Sequence, residues 1–249
     1  MKINSIDEVI AILTDIIIES ENNYDPRGYF AALYRSVTKK VKEGIENKEF
    51  EDGARMEKLD VVFAKRYIDA YYAYKENEEI TVSWQEAFKL STNYWPIVLQ
   101  HLLIGMNAHI SLDLGIAAAE ISRNENIEDL KNDFNKINEV LSSLVSNVEN
   151  DLAEIWPMLK VILKLAGRVD DFLVDFSMGI ARDGAWKFAI SIANGHERER
   201  DSLIKERDQK VANIANMILH PGFIAKTIIR IIRIGERGSV SQRIENLKK

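Results

Sequence analysis

The chain has 249 residues, 46% of them apolar and 29% charged, with four prolines, twelve glycines and no cysteine. This is the balance of a globular chain long enough for one large domain, and so little proline and glycine favours long helices over a loop-rich β-sandwich. Without cysteine there are no disulfides, zinc–thiolate sites or thiol catalysis, and a net charge of −6 argues against general nucleic-acid binding, which needs broad phosphate neutralisation.

Ser5, with Glu8 three residues later, is a capping-box start for a helix over about 6–20. Asp7, Glu8, Asp15 and Glu19 interrupt its apolar positions, so it is not a secretory leader. Asn22 to Asp25 break it. Pro26 suits the first turn of a second helix, in which Tyr29, Phe30, Leu33, Val37 and Val41 recur at helical spacing. A third helix is expected over about 54–76 after Gly53, and a short one over 84–92 capped by Thr81 or Ser83. Pro96 opens a central helix to about 122, ended by Asn124 and Asn126. Helical patterning then runs from Ile127 to Leu165, with Pro157 kinking or dividing it, and resumes over about 169–193 up to Asn194-Gly195. The run HERERDSLIKERDQK reads as a solvated helix face. His220-Pro221-Gly222 is a sharp break before a helix from Phe223 to Gly235.

No useful β-alternation, internal repeat or interdomain linker occurs. The expected fold is all-α: a single bundle-like domain over 1–249, of about eight to nine helices around a central buried helix at 96–122. Residues 223–249 form a basic amphipathic helix and tail. From Lys226 onward there are seven Lys/Arg and two Glu, so this end is net +5 and the rest net −11. Lys226, Arg230, Arg233 and Arg237 form one stripe. Docking of the isoleucines Ile224, Ile228, Ile231 and Ile232 on the acidic body is the preferred reading, and peripheral contact with anionic lipid the lesser one. No run of about 18 uncharged apolar residues occurs, so no membrane span is expected and the cytoplasm is the default location.

The central helix carries polar groups where burial is costly. His109 and Asp113 are an i,i+4 pair whose side chains meet on one face, a spacing that lets both ligate one ion or lets the carboxylate fix the imidazole tautomer. His101, some 12 Å further along the axis, reads as a packing residue. In the third helix Asp60 shares a line with Ala64, Tyr67, Tyr71 and Tyr74, so a carboxylate sits on an aromatic inward face. Asp171, Asp175, Met178 and Arg182 form another line, flanked by Trp186.

The segments YFAALYRSVTKKVKEGIE, RMEKLDVVFAKRYIDAYYAY, PIVLQHLLIGMNAHISLDLGIAAA and DFSMGIARDGAW together resemble an uncharacterised bacterial family of all-helical proteins, most specifically through NAHI-x-LDLG. This resemblance implies the fold and no activity. The His109-x3-Asp113 pair is also distantly similar to those of helical zinc phosphoesterases of the phospholipase C and nuclease type. Those use several histidines and repeated pairs, and with four histidines and one such pair this chain cannot assemble their trinuclear site.

The residues point first to a metal-dependent hydrolase acting on an ester or phosphoester. His109, Asp113, Asp60 and Asp171 would hold one divalent ion (Zn, Mn, Mg or Fe), and Arg182 would hold the anionic group of a small substrate. Tyr67, Tyr71, Asn107 and Trp186 are the expected ligand-binding residues, and His109, Asp113, Asp60 and Arg182 the catalytic ones. Alternatives on the same residues are a metal-free small-ligand-binding protein and a scaffold whose polar interior fixes helix register.

Overall fold

The computed structural model describes residues 2–137, 155–156 and 178–248. Among the described residues there is no strand, and ten α-helices are bounded: α1 (Ile6–Asn23), α2 (Gly28–Glu46), α3 (Gly53–Lys75), α4 (Val82–Lys89), α5 (Val98–Ala108), α6 (Leu114–Ile121), α7 (Met178–Asn194), α8 (Glu197–Leu219), α9 (Phe223–Gly235) and α10 (Val240–Leu247). The fold is thus the all-α, multi-helix arrangement expected. One helix more than foreseen follows α9, because Gly238 at φ 79° and a Ser239–Gln242 capping box restart the chain.

α5 and α6 are one rod, joined by a wider turn at His109–Asp113 in which the Leu114 N–H donates to the carbonyl of His109, five residues back. The rod is buried on almost every side, from Val98 and Leu102 through Ala108 and Leu112 to Ala117–Ala119. It is the one helix among the described residues long and apolar enough to cross a membrane, yet 94% of that stretch is buried inside the domain. Helices α2, α4 and α8 pack on its first half and α3 and α7 on its second. At Gly105 the Phe30 side chain of α2 comes so close that an added Cβ would stand 2.6 Å from its ring, which explains a glycine mid-helix despite its entropic cost.

Caps come from near and far. Ser5 Oγ accepts the Glu8 N–H at 3.2 Å, as the capping box predicts, although Glu8 itself accepts the Asn4 N–H rather than that of Ser5. Thr81 precedes α4, and its side chain makes no capping bond. Asp208 of α8 caps it instead, accepting the Val82 and Ser83 N–H groups at 2.7 and 2.9 Å. The charged run at the start of α8 is therefore not wholly solvated. Asp208 is buried, and Arg207 donates from Nε to the Ser111 carbonyl at 2.8 Å. In the same way Asp133 accepts the Glu51 and Asp52 N–H groups ahead of α3. In α9, Ile232 is buried and Ile228 and Ile229 pack against the core, while Ile231 faces outward. Pro157, Gly167, Asp170, Asp171 and Asp175 lie outside the described residues.

Candidate functional site

The wider turn between α5 and α6 sets His109 and Asp113 side by side, with Nδ1 3.2 Å from Asp113 Oδ2. Both are buried, His109 at 2% and Asp113 at 0% exposure. The carboxylate is shared by two further donors. Arg66 of α3 donates from Nε to Oδ1 at 2.7 Å, and Trp84 of α4 donates from Nε1 to Oδ2 at 2.8 Å. Three helices thus converge on one side chain. Burial pushes the Asp113 carboxyl up, but the Arg66 charge, the hydrogen bonds from His109 and Trp84 and the attraction to the imidazole outweigh it and hold the group below its ordinary value. Asp113 is an anion.

His109 is held neutral. Burial lowers its pKa, against the opposing pull of Asp113. With a carboxylate opposite Nδ1, the proton sits there and Nε2 carries the lone pair. That Nε2 is buried and has no hydrogen-bond partner in the protein. Aromatic side chains surround the imidazole. Phe63 stacks on it with ring centres 3.6 Å apart, Tyr34 meets it edge-on at 4.5 Å, and Phe30, Trp84 and Tyr67 stand at 5.8, 5.9 and 6.1 Å. The residues come from α2, α3, α4 and the rod, where apolar periodicity turns each inward.

Other buried polar atoms in this region also lack a protein partner: the hydroxyls of Tyr34 and Tyr67 and Asp60 Oδ2. Thr38 lies near the Tyr34 hydroxyl outside hydrogen-bond geometry and gives its own hydrogen to the Tyr34 carbonyl. Burial, the Asp60 and Asp113 carboxyls and Tyr67 keep the Tyr34 hydroxyl protonated. Tyr67 is raised likewise, chiefly by burial. Burial, with Glu57 nearby, pushes Asp60 up to about 8, so its carboxyl is neutral at physiological pH. A neutral base is therefore set among neutral hydroxyl groups, all short of partners.

The chain belongs to a family of unknown function, DUF5995. The family model matches residues 6–221, which takes in every helix that builds this site and stops before α9. No curated protein and no solved structure gives a significant match. The likeness to zinc phosphoesterases finds no support in these comparisons.

In this DUF5995 chain the expected site residues separate into two groups. His109, Asp113, Asp60 and Tyr67 share the aromatic cluster with Tyr34. Tyr71 lies a turn beyond Tyr67, pushed up to about 12 by burial, with the Arg27 and Lys75 cations over its ring. Asn107 faces away, donating from Nδ2 to the Val211 carbonyl at 2.8 Å and so locking α8 to the rod. Arg182 is buried on α7 and lowered to about 10 by burial, against the pull of Asp183. Trp186 packs with Phe134 at 4.8 Å in a different apolar cluster, beside Ala185 and Ala189. His101 is buried edge-on to Tyr29 and lowered to about 3 by burial, in keeping with a packing role.

Among the described residues no group of three His, Asp or Glu side chains is placed to hold a metal ion; Asp171, the fourth expected donor, lies outside them. The donors that do meet at Asp113 are N–H groups, one of them cationic, and an ion on that carboxylate would face a guanidinium. Arg66 and Trp84, the two residues that define the site, were not among those the sequence singled out. For Arg66 the available signal was a cation flanking the aromatic face of α3. For Trp84 there was none, because its contact is 29 residues away in sequence.

Proposed function

We propose that this protein is an acid–base enzyme of the hydrolase type, acting on an ester of a small, largely apolar molecule, with His109 as general base. The observation that carries the reading is the polarity of the dyad. Asp113 has every oxygen engaged, whereas His109 has its Nδ1 hydrogen engaged and its Nε2 lone pair unused and buried. A base oriented by a carboxylate, itself oriented by other donors, is the arrangement that proton abstraction needs. His109 Nε2 takes a proton from water as the water oxygen bonds to the ester carbonyl carbon, and returns it to the departing alkoxide oxygen. The protonated Tyr34 and Tyr67 hydroxyls are the donors available to the carbonyl oxygen as it gains charge. The ring cluster supplies the apolar contact for the substrate body. Nothing in this chemistry asks Asp113 to hold a metal.

The test is hydrolysis of 4-nitrophenyl and 4-methylumbelliferyl esters, from acetyl to benzoyl, by wild type and His109→Gln. Loss of a general base should lower kcat/KM by about 10²–10⁴. Turnover unchanged in His109→Gln, or no turnover above the buffer rate for any ester, rejects the reading. The second reading, binding without catalysis, is favoured by Asp60, which adds a neutral carboxyl to the same unpartnered set. It predicts ester analogues that raise the melting temperature of wild type but are not turned over.

A further inference from the structure

We infer that the outer face of α9, with the Tyr94–Trp95 loop braced against it, is a docking surface for an anionic lipid bilayer. Phe223, Ile231 and Ile234 of α9 are 88, 53 and 74% exposed, and Tyr94 and Trp95 are 64 and 44% exposed. Together they supply half of the ten large apolar side chains left exposed among the described residues. Such side chains scattered singly need no explanation, but a cluster does. The opposite side of the same helix is satisfied, with Ile232 buried and Ile228 and Ile229 against the core. The outward apolar residues are therefore in excess of what folding uses.

The loop is not placed by chance. Arg233 donates from Nε to the Tyr94 carbonyl at 2.6 Å, with its guanidinium 4.7 Å from the centre of the Tyr94 ring. Arg230 stands 5.1 Å from the centre of the Trp95 ring. Two aromatic side chains, polar at one end and apolar along the body, are thereby held beside the helix. α9 itself has no acidic residue, and Lys226 and Arg230 are exposed along the border of its apolar strip, with Arg237 just beyond its end. Arg233 is partly neutralised by Glu236 at 2.7 Å.

Charge selects the occupant. A second copy meeting this face symmetrically would set one basic strip against another. A bilayer rich in anionic lipid offers the complementary charge to Lys226, Arg230 and Arg237 and an apolar layer for Phe223, Ile231 and Ile234. The rest of the chain, from the first residue to Ala225, is net −11 and would be repelled, so contact is confined to this face. This inference is independent of the His109 site.

The measurement is co-sedimentation of the full chain with vesicles of phosphatidylglycerol and phosphatidylcholine, against phosphatidylcholine alone, at low and high salt. Binding should require phosphatidylglycerol and fall as salt screens the charges. The double variants Phe223→Ser/Ile234→Ser and Lys226→Glu/Arg230→Glu should each weaken it by about tenfold or more. All four positions are exposed, and an unchanged thermal melt confirms folding. No sedimentation with pure phosphatidylglycerol at low salt overturns the inference, as does binding indifferent to both double variants. A monomer–dimer equilibrium abolished by Phe223→Ser/Ile234→Ser, without vesicle binding, assigns the face to a second copy and overturns it too.

Discussion

Two buried aspartates should respond in opposite directions to the same substitution. Asp113→Asn replaces an anion that serves three donors, and an amide cannot accept on both sides. Whichever way it turns, its NH₂ meets either the Arg66 Nε–H or the Trp84 Nε1–H. Removing one partner of a buried ion pair costs about 3–5 kcal/mol, and the 27% exposure of the Arg66 side chain places this one near the lower end. At about 2–4 °C per kcal/mol for a chain of this size, the melting temperature should drop by roughly 6–12 °C. Asp60→Asn removes a carboxyl that must stay protonated to remain buried. Its pKa is raised from 3.8 to about 8, so the native state binds a proton that the unfolded state releases, and stability is lost as pH rises from about 4 to about 8. The amide has no such slope. Asp60→Asn should therefore match wild type near pH 4 and exceed it increasingly up to pH 8, where the gap levels at no more than ~6 kcal/mol. Thermal melts of the three proteins across pH 4–9 read both effects, with groups common to all cancelling in the differences. An Asp113→Asn loss below about 1 kcal/mol, or an Asp60→Asn protein less stable than wild type at pH 8, would refute the charge states assigned here.

Asp208→Ala should cost about 1–2 kcal/mol by uncapping α4, and hydrogen exchange at the Val82 and Ser83 amides should accelerate more than elsewhere in the helix. Gly105→Ala forces a Cβ to within 2.6 Å of the Phe30 ring and should destabilise the fold by about 1–3 kcal/mol, with a chemical-shift change at the His109 ring that Phe30 touches.

The sequence made the central rod visible because a helix apolar on most of its faces has one place to go, the middle. It also showed the His109–Asp113 pairing, which depends only on a spacing of four. The partners were hidden because periodicity assigns a side chain to a face without saying what lies opposite. Arg66 and Trp84 reach Asp113 across 47 and 29 residues. Asn107 was drawn into the expected ligand-binding set by its residue type, yet it points at α8. The charged run of α8 shows a signal that was present. Asp208, Val211, Ala212, Ala215 and Ile218 are all buried, and their spacings of three and four mark one inward face of which Asp208 is the first member. An acid on such a face has to meet donors, and the free N–H groups at a helix start are the nearest supply.

The same reasoning separates structural from functional polarity in the core. A polar group retained for packing specificity ends fully bonded, because each unmade bond costs about 1–3 kcal/mol and another side chain would avoid that cost. Asp113, Asp208 and Asp133 fit this description, each accepting from two or more N–H donors. His109, Tyr34, Tyr67 and Asp60 do not, and these four lie close together around one aromatic cluster, whereas other unpartnered atoms, such as Ser20 Oγ, Asn107 Oδ1 and Trp186 Nε1, stand apart from one another. Leucine or phenylalanine would fill the same volumes without loss. The turn at His109–Asp113 adds to the contrast, since its five-residue hydrogen bond departs from α-helical geometry at the very residues of the dyad. A carboxylate held by donors from three helices, beside an imidazole whose outer nitrogen is left unbonded, is the contrast on which the proposal of a general base rests.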